Sequence, residues 1–173
     1  MSDVEDFTFI YCHHEDISDF QIEKMKSSNI KKLIIQDYSP FFRDRDQNFT
    51  GNLHNLYEGF EELYIDACDF NKPIDHLPST LKILHIRSQK FNHPVNNLPP
   101  NLEELVIYGE SFNQSVDNLP SNLKVLELQS YMFNHNMQNL PPSLETLIIR
   151  IDLNKTCLQN FDYLVNLKEK KIL

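Results

Sequence analysis

The sequence predicts a solenoid of stacked parallel β-strands, an α/β chain leaning to mainly β. Three observations lead there. Phe49, Phe70, Phe91, Phe112 and Phe133 recur at one constant spacing. The last four are each followed, at constant offsets, by a proline and then a short alternating apolar run. Glycine is scarce, 3 of 173 residues, and asparagine is abundant, which suits a repeat better than a compact enzyme full of tight turns.

The clearest units read FNKPIDHLPSTLKILHI, FNHPVNNLPPNLEELVI and FNQSVDNLPSNLKVLEL. FNHNMQNLPPSLETLII follows in register, and FTGNLHNLYEGFEELYI precedes them as a degraded copy. In the unit from Phe70 the apolar positions are Phe70, Ile74, Leu77, Leu81, Leu84 and Ile86. The run Leu81-x-x-Leu84-x-Ile86 ends in the period-2 alternation of a strand. Prolines 78, 99, 120 and 141 remove a backbone donor just upstream, so that segment cannot be the interior of an α-helix. A unit this short, holding one strand and a Pro-fixed extended return, leaves little room for a helix. One such unit cannot bury its apolar face alone, whereas stacked copies can.

Residues 49–153 resemble FNIP repeats, a leucine-rich-repeat subtype with the signature Phe-Asn-x-Pro-[Ile/Val] followed by Leu-Pro-x-x-Leu-x-x-Leu-x-[Leu/Ile]. The resemblance implies a curved solenoid with parallel strands on its concave face and extended, Pro-containing convex returns. It also implies the settings in which such repeats are best known, giant viruses and social amoebae. There, some members carry an N-terminal F-box and serve as substrate-recognition scaffolds in ubiquitin-ligase assemblies. The segment 1–48 of this chain reads instead as strand–helix–strand.

A column of charges tests the register independently of the apolar pattern. Lys31, Glu61, Lys82, Glu103, Lys124, Glu145 and Lys168 follow equivalent apolar residues, alternating in sign. Neighbouring parallel strands lie about 4.8 Å apart, so opposite charges in one column attract where like charges would repel. Exposed pairs add little stability, and the column serves register first. It predicts seven consecutive turns, the outer two irregular.

The ends read as caps. Phe-Thr-Phe-Ile-Tyr at 7–11 predicts a strand. Ser18 predicts a helix N-cap, with Gln21 at the capping-box position and Ile17 placed to staple onto Ile22. A helix over 18–27 then leads to a strand at Leu33–Ile35. That β-α-β order takes a right-handed crossover, giving a right-handed solenoid. The chain thus divides into an N-terminal cap over 1–48, five repeats over 49–153 and a C-terminal capping turn over 154–173. The cap carries an inserted loop, Ser-Pro-Phe-Phe-Arg-Asp-Arg-Asp at 39–46, which is either a binding loop or a cover in which Phe41 and Phe42 shield the core edge. In the last turn Leu158, Phe161, Leu164 and Leu167 can pack over the final repeat. Lys168, Lys170 and Lys171 keep the outer face wet, and Lys170 holds the position of Leu84.

Composition narrows the function. A net charge of −9 without clustered lysines excludes a nucleic-acid surface. No apolar run approaches the roughly 18 residues that span a bilayer, and the acidic start lacks the layout of a secretory signal. Cys12, Cys68 and Cys157, an odd and scattered set, indicate a reducing compartment, so a cytoplasmic protein is expected, in the host cell if viral.

Candidate chemistry is sparse. His13 and His14 are adjacent and point to opposite faces of a strand. His93 and His135 share a column two turns apart, roughly 10 Å, too far for a shared zinc. Cys68 is expected to pack in the core beneath the turn that follows a strand. A cysteine-dependent enzyme, the less expected alternative, would have to be built on the Cys12–His13–His14 corner, where adjacency in sequence is weak evidence for a nucleophile and its base. No cofactor motif, Gly-rich phosphate loop or catalytic triad order occurs. The Phe column and its companion asparagines (Asn71, Asn92, Asn113, Asn134) read as architecture: stacked rings, and amides that pair with backbone groups of neighbouring turns.

The concave face remains. Its first outward column is Lys32, Glu62, Ile83, Glu104, Val125, Thr146. The second is Ile34, Tyr64, His85, Val106, Glu127, Ile148, and the third Gln36, Asp66, Arg87, Tyr108, Gln129, Arg150. These residues vary from unit to unit, so stacking does not dictate them. Aromatic and Arg residues among aliphatics also suit protein-binding patches. The expected function is a non-enzymatic module that binds a protein partner there, through Tyr64, Asp66, Ile83, His85, Arg87, Val106, Tyr108, Glu127, Ile148 and Arg150. A self-associating assembly component, with pairing through outer strands or concave patches, is the second expectation.

Overall fold

The computed structural model describes residues 8–11, 16–37, 48–151 and 168–172. Eight strands form one parallel sheet in sequence order: β1 Thr8–Tyr11, β2 Lys32–Gln36, β3 Glu62–Asp66, β4 Ile83–Arg87, β5 Glu104–Tyr108, β6 Val125–Ser130, β7 Thr146–Ile151 and β8 Glu169–Ile172. One helix, α1 Asp19–Ser27, joins β1 to β2. The chain is a β-solenoid.

Sequence spacing carries directly into register. Leu63, Leu84, Leu105, Leu126 and Leu147 pair in series, as do Ile65, Ile86, Ile107, Leu128 and Ile149. All are at most 1 % exposed. Each Leu-Pro-x-x-Leu segment folds as one tight turn, in which Leu81, Leu102, Leu123 and Leu144 donate their N–H to the carbonyls of Pro78, Pro99, Pro120 and Pro141, all at 3.1 Å. The proline thereby stops the upstream chain from coiling and delivers its leucine to the core.

The Phe column is a continuous stack of fully buried rings. Centroids lie 5.9 Å apart from Phe49 to Phe70, Phe70 to Phe91 and Phe91 to Phe112, and 6.2 Å from Phe112 to Phe133, with planes within 16° of parallel. These spacings are those of offset aromatic pairs. Beside them the asparagines form a ladder from an outer position. The Asn71, Asn92 and Asn113 side-chain oxygens accept from the backbone N–H of Asn92, Asn113 and Asn134 at 3.1, 2.9 and 2.9 Å. His93, Gln114 and His135 meet the carbonyls of Asn71, Asn92 and Asn113 one turn back. Both histidines are thus occupied in turn-to-turn bonding.

The charge column lies in register at every step. Each backbone carbonyl from Lys31 to Glu145 accepts two N–H groups of the next turn, beginning with those of Glu61 and Glu62 on Lys31. Side-chain pairs stand at 3.6 Å for Lys31–Glu61, 2.7 Å for Lys82–Glu61, 2.5 Å for Lys124–Glu103 and 2.6 Å for Lys168–Glu145. Lys82 and Lys124 are consequently raised above the usual lysine range, and Glu61 and Glu145 lowered, chiefly by hydrogen bonds within these pairs.

At the first turn Ser18 caps α1 in a capping box with Gln21. The helix ends in a Schellman motif: Asn29, at φ 49°, donates to Lys26, and Ile30 to Met25. Tyr57 stands where later repeats have proline. Its hydroxyl donates to the Ile30 carbonyl at 2.6 Å, tying the degraded repeat to the helix end. Loop 39–46, the Cys12–His13–His14 corner and the packing of Leu158, Phe161, Leu164 and Leu167 lie outside the described residues.

One expectation is corrected. Cys68 is exposed. The small buried position beneath the turn falls one residue earlier, at Ala67, Ser88, Gly109 and Ser130. Ser88 and Ser130 use it to donate to the carbonyls of Phe70 and Phe112, both at 2.8 Å.

Candidate functional site

The outward side of β2–β7 presents the three columns read from the sequence, in the same register. Strand alternation explains this, because inward leucines and isoleucines force the intervening residues out. The columns are held by contacts between adjacent strands.

In the first and second columns Lys32 lies 3.4 Å from Glu62 and 4.8 Å above the Tyr64 ring. Tyr64 donates to Glu62 at 3.1 Å and meets the His85 ring edge-on at 4.7 Å. Burial first, then the Glu62 carboxylate, pushes the Tyr64 hydroxyl up to about 12. His85 Nε2 lies 2.6 Å from Glu104 Oε1. Ile83 and Ile148 are half-buried at the flanks. Val106 is only 6 % exposed, covered by its neighbours.

In the third column Arg87 lies 3.6 Å from Asp66 and places its guanidinium 5.7 Å from the Tyr108 ring centre. Arg150 pairs with Glu127, and the charges of both act on the Tyr108 hydroxyl. That hydroxyl is raised above the usual tyrosine range, by burial first and then by Glu127. Tyr64, Asp66, His85, Arg87, Val106 and Tyr108 thus come together around one shallow depression of about 310 Å³, with Ile34 and Gln36 at its rim. Glu127 and Arg150 adjoin it through Tyr108, while Ile83 and Ile148 stand apart.

Two features escaped the sequence reading. Charges on this face pair across strands, so Glu104 and Glu62 belong to the same network as the residues singled out. Tyr131 and Met132 are 63 % and 62 % exposed at the carboxyl end of β6. Their signal was available: the equivalent pairs Cys68-Asp69, Gln89-Lys90 and Glu110-Ser111 contain no comparably large apolar side chain.

The arrangement favours recognition over chemistry. The Cys68 thiol is raised by burial and by Asp37, Asp66 and Asp69, which disfavours a reactive thiolate. Among the described residues no three His, Cys, Asp or Glu side chains gather as a metal site, and no helix is long and apolar enough to cross a membrane.

Comparison with known families agrees with the repeat geometry. The FNIP Repeat family matches residues 91–128 and 112–150, covering the turns from Phe91 through β7. No curated protein and no solved structure matches the chain. The match and the stacked Phe-Asn units together identify FNIP repeats over residues 91–150 of this chain.

Proposed function

We propose that this protein is a non-enzymatic interaction scaffold whose outward strand face, centred on Tyr64, His85, Arg87 and Tyr108, receives a protein partner. A repeat solenoid with FNIP repeats suggests such a scaffold in general terms. The finer reading rests on one observation: the outward residues differ from strand to strand, yet cross-strand contacts hold them in place. A preformed surface loses little conformational entropy on binding, because its side chains are already ordered. Two tyrosines and an arginine around a depression are the residue types that dominate binding energy at interfaces.

The test compares proteins co-purifying with the tagged wild type and with a Tyr64→Ala, Arg87→Glu, Tyr108→Ala variant, both checked for equal thermal stability. A Tyr131→Ala, Met132→Ser variant serves as control. A partner lost from the triple variant and kept by the control supports the strand face. Equal recovery by all three contradicts it.

A further inference from the structure

The charges on the strand face are sorted by column. In the first column Glu62 on β3 and Glu104 on β5 stand on either side of Ile83. In the third column β4 and β7 carry Arg87 and Arg150, and from β4 to β7 that column holds no acid. The second column is apolar at its centre, where Val106 is nearly buried beside His85 and Tyr64.

These charges are not equally committed. In the pairs Lys32–Glu62, His85–Glu104 and Arg150–Glu127 no side chain is more than 36 % exposed. Arg87 is 66 % exposed and its partner Asp66 58 %. At 3.6 Å their contact is too long for a hydrogen bond, so the donors of the guanidinium remain open to a further acceptor. The Tyr108 ring, 5.7 Å away, helps to hold that guanidinium in place. Such a planar fork takes a carboxylate through two parallel hydrogen bonds.

The furrow between β4 and β5 brings the three columns together. Its walls are Ile83 and Glu104, then His85 and Val106, then Arg87 and Tyr108, paired in register. Successive rows are two strand residues apart, about 6.6 Å, which is also the spacing of same-face side chains in an extended peptide.

We propose that the partner enters this furrow with an extended segment of the pattern cation-x-apolar-x-carboxylate, readable in either chain direction. Its alternate side chains meet Glu104, the depression over Val106, and Arg87. This rests on the strand-face docking proposed above and supplies its chemistry. The apolar side chain fills the depression of about 310 Å³, and the carboxylate closes on Arg87. The cation meets Glu104, whose carboxylate has acceptor sites beyond the one turned to His85. A doubly acidic segment would set a carboxylate against Glu62 and Glu104, and a doubly basic one would set a cation against Arg87. Both are thereby selected against.

Three peptides with blocked termini probe the full chain: Lys-Ser-Leu-Ser-Asp, Asp-Ser-Leu-Ser-Asp and Lys-Ser-Leu-Ser-Lys. Titrations are followed through the backbone amide resonances of isotope-labelled protein. The mixed-charge peptide is expected to bind about tenfold or more tightly than the other two, moving the resonances of His85, Arg87, Val106 and Tyr108. Arg87→Glu, checked for an unchanged thermal midpoint, is expected to reverse the preference in favour of the doubly basic peptide. Arg87→Gln is expected to abolish the preference without reversing it. Equal binding of the three peptides, binding of none, or a preference unchanged in both variants overturns this segment chemistry, while docking on the strand face is judged separately by the co-purification test. A co-purified partner indifferent to the triple variant overturns both.

Discussion

Gly109 packs against the turn before it so closely that a β-carbon there would lie 2.8 Å from the Ser88 carbonyl oxygen. That oxygen belongs to backbone and cannot swing aside as a side chain could. The column Ala67, Ser88, Gly109, Ser130 therefore admits only what each local gap allows, and at Gly109 it allows a hydrogen. Gly109→Ala is expected to destabilise the protein by about 1–3 kcal/mol, the usual range for overpacking. A thermal midpoint equal to wild type would show that the turn relaxes freely.

The phenylalanine stack predicts a larger effect. Phe91 is fully buried between Phe70 and Phe112, both 5.9 Å away. Phe91→Ala opens a cavity that neighbouring turns cannot collapse into without breaking their own stacking. The expected loss is about 3–5 kcal/mol, measured by denaturant unfolding. A loss below about 1 kcal/mol would mean that the column contributes little.

The charge ladder responds to sign reversal and to salt. Glu103→Lys would set three lysines in consecutive turns where the native column alternates. A lowered thermal midpoint is expected at low ionic strength, with the difference from wild type shrinking in high salt as screening takes over. A difference independent of salt would point to packing instead.

Acid should unfold the protein partly through carboxylates held below the ordinary value of 4.5. Glu58 is lowered chiefly by the Ser79 backbone N–H, Glu61 by Lys82 and Glu145 by Lys168. Folded values below unfolded ones mean that this stability is present above pH 4.5 and lost as pH falls through the depressed values. Raised Lys82 and Lys124 act at the other end, their contribution present below 10.5 and lost as pH climbs past it. Thermal midpoints across acidic and alkaline pH check both signs, and a midpoint flat from about pH 5 to 3 would contradict the first.

Cys68 offers a chemical check. Although exposed, its thiol is raised by burial of the sulfur and by Asp37, Asp66 and Asp69. Alkylation at neutral pH, followed residue by residue with mass spectrometry, is expected to be slower there than for free cysteine. It should accelerate only above the ordinary thiol value of 9.0. Rapid labelling at neutral pH would revive a nucleophilic role.

Much of this fold was legible because a repeat of constant length states its own register. Once Leu84 and Ile86 are inward, His85 and Arg87 are outward, and the same holds turn after turn. Ser18 and Gln21 likewise announced the capping box. Alternation does not tell how far an outward side chain is covered by the strands beside it. Val106 is nearly buried for that reason, and His85 and Arg150 are taken up by Glu104 and Glu127. The one-residue displacement of the small buried column from Cys68 to Ala67 was hidden too. It depends on where each strand ends and its turn begins, which apolar spacing leaves open.

The most direct measurement is a covalent footprint of the protein bound to its co-purified partner. Tyrosine- and arginine-modifying reagents would be compared on free and bound protein. Strong protection of Tyr64, Arg87 and Tyr108, with Tyr131 labelled as in the free protein, is the predicted result. Unchanged labelling of those three residues, with protection confined to the returns or to the first turn, would contradict docking on the strand face.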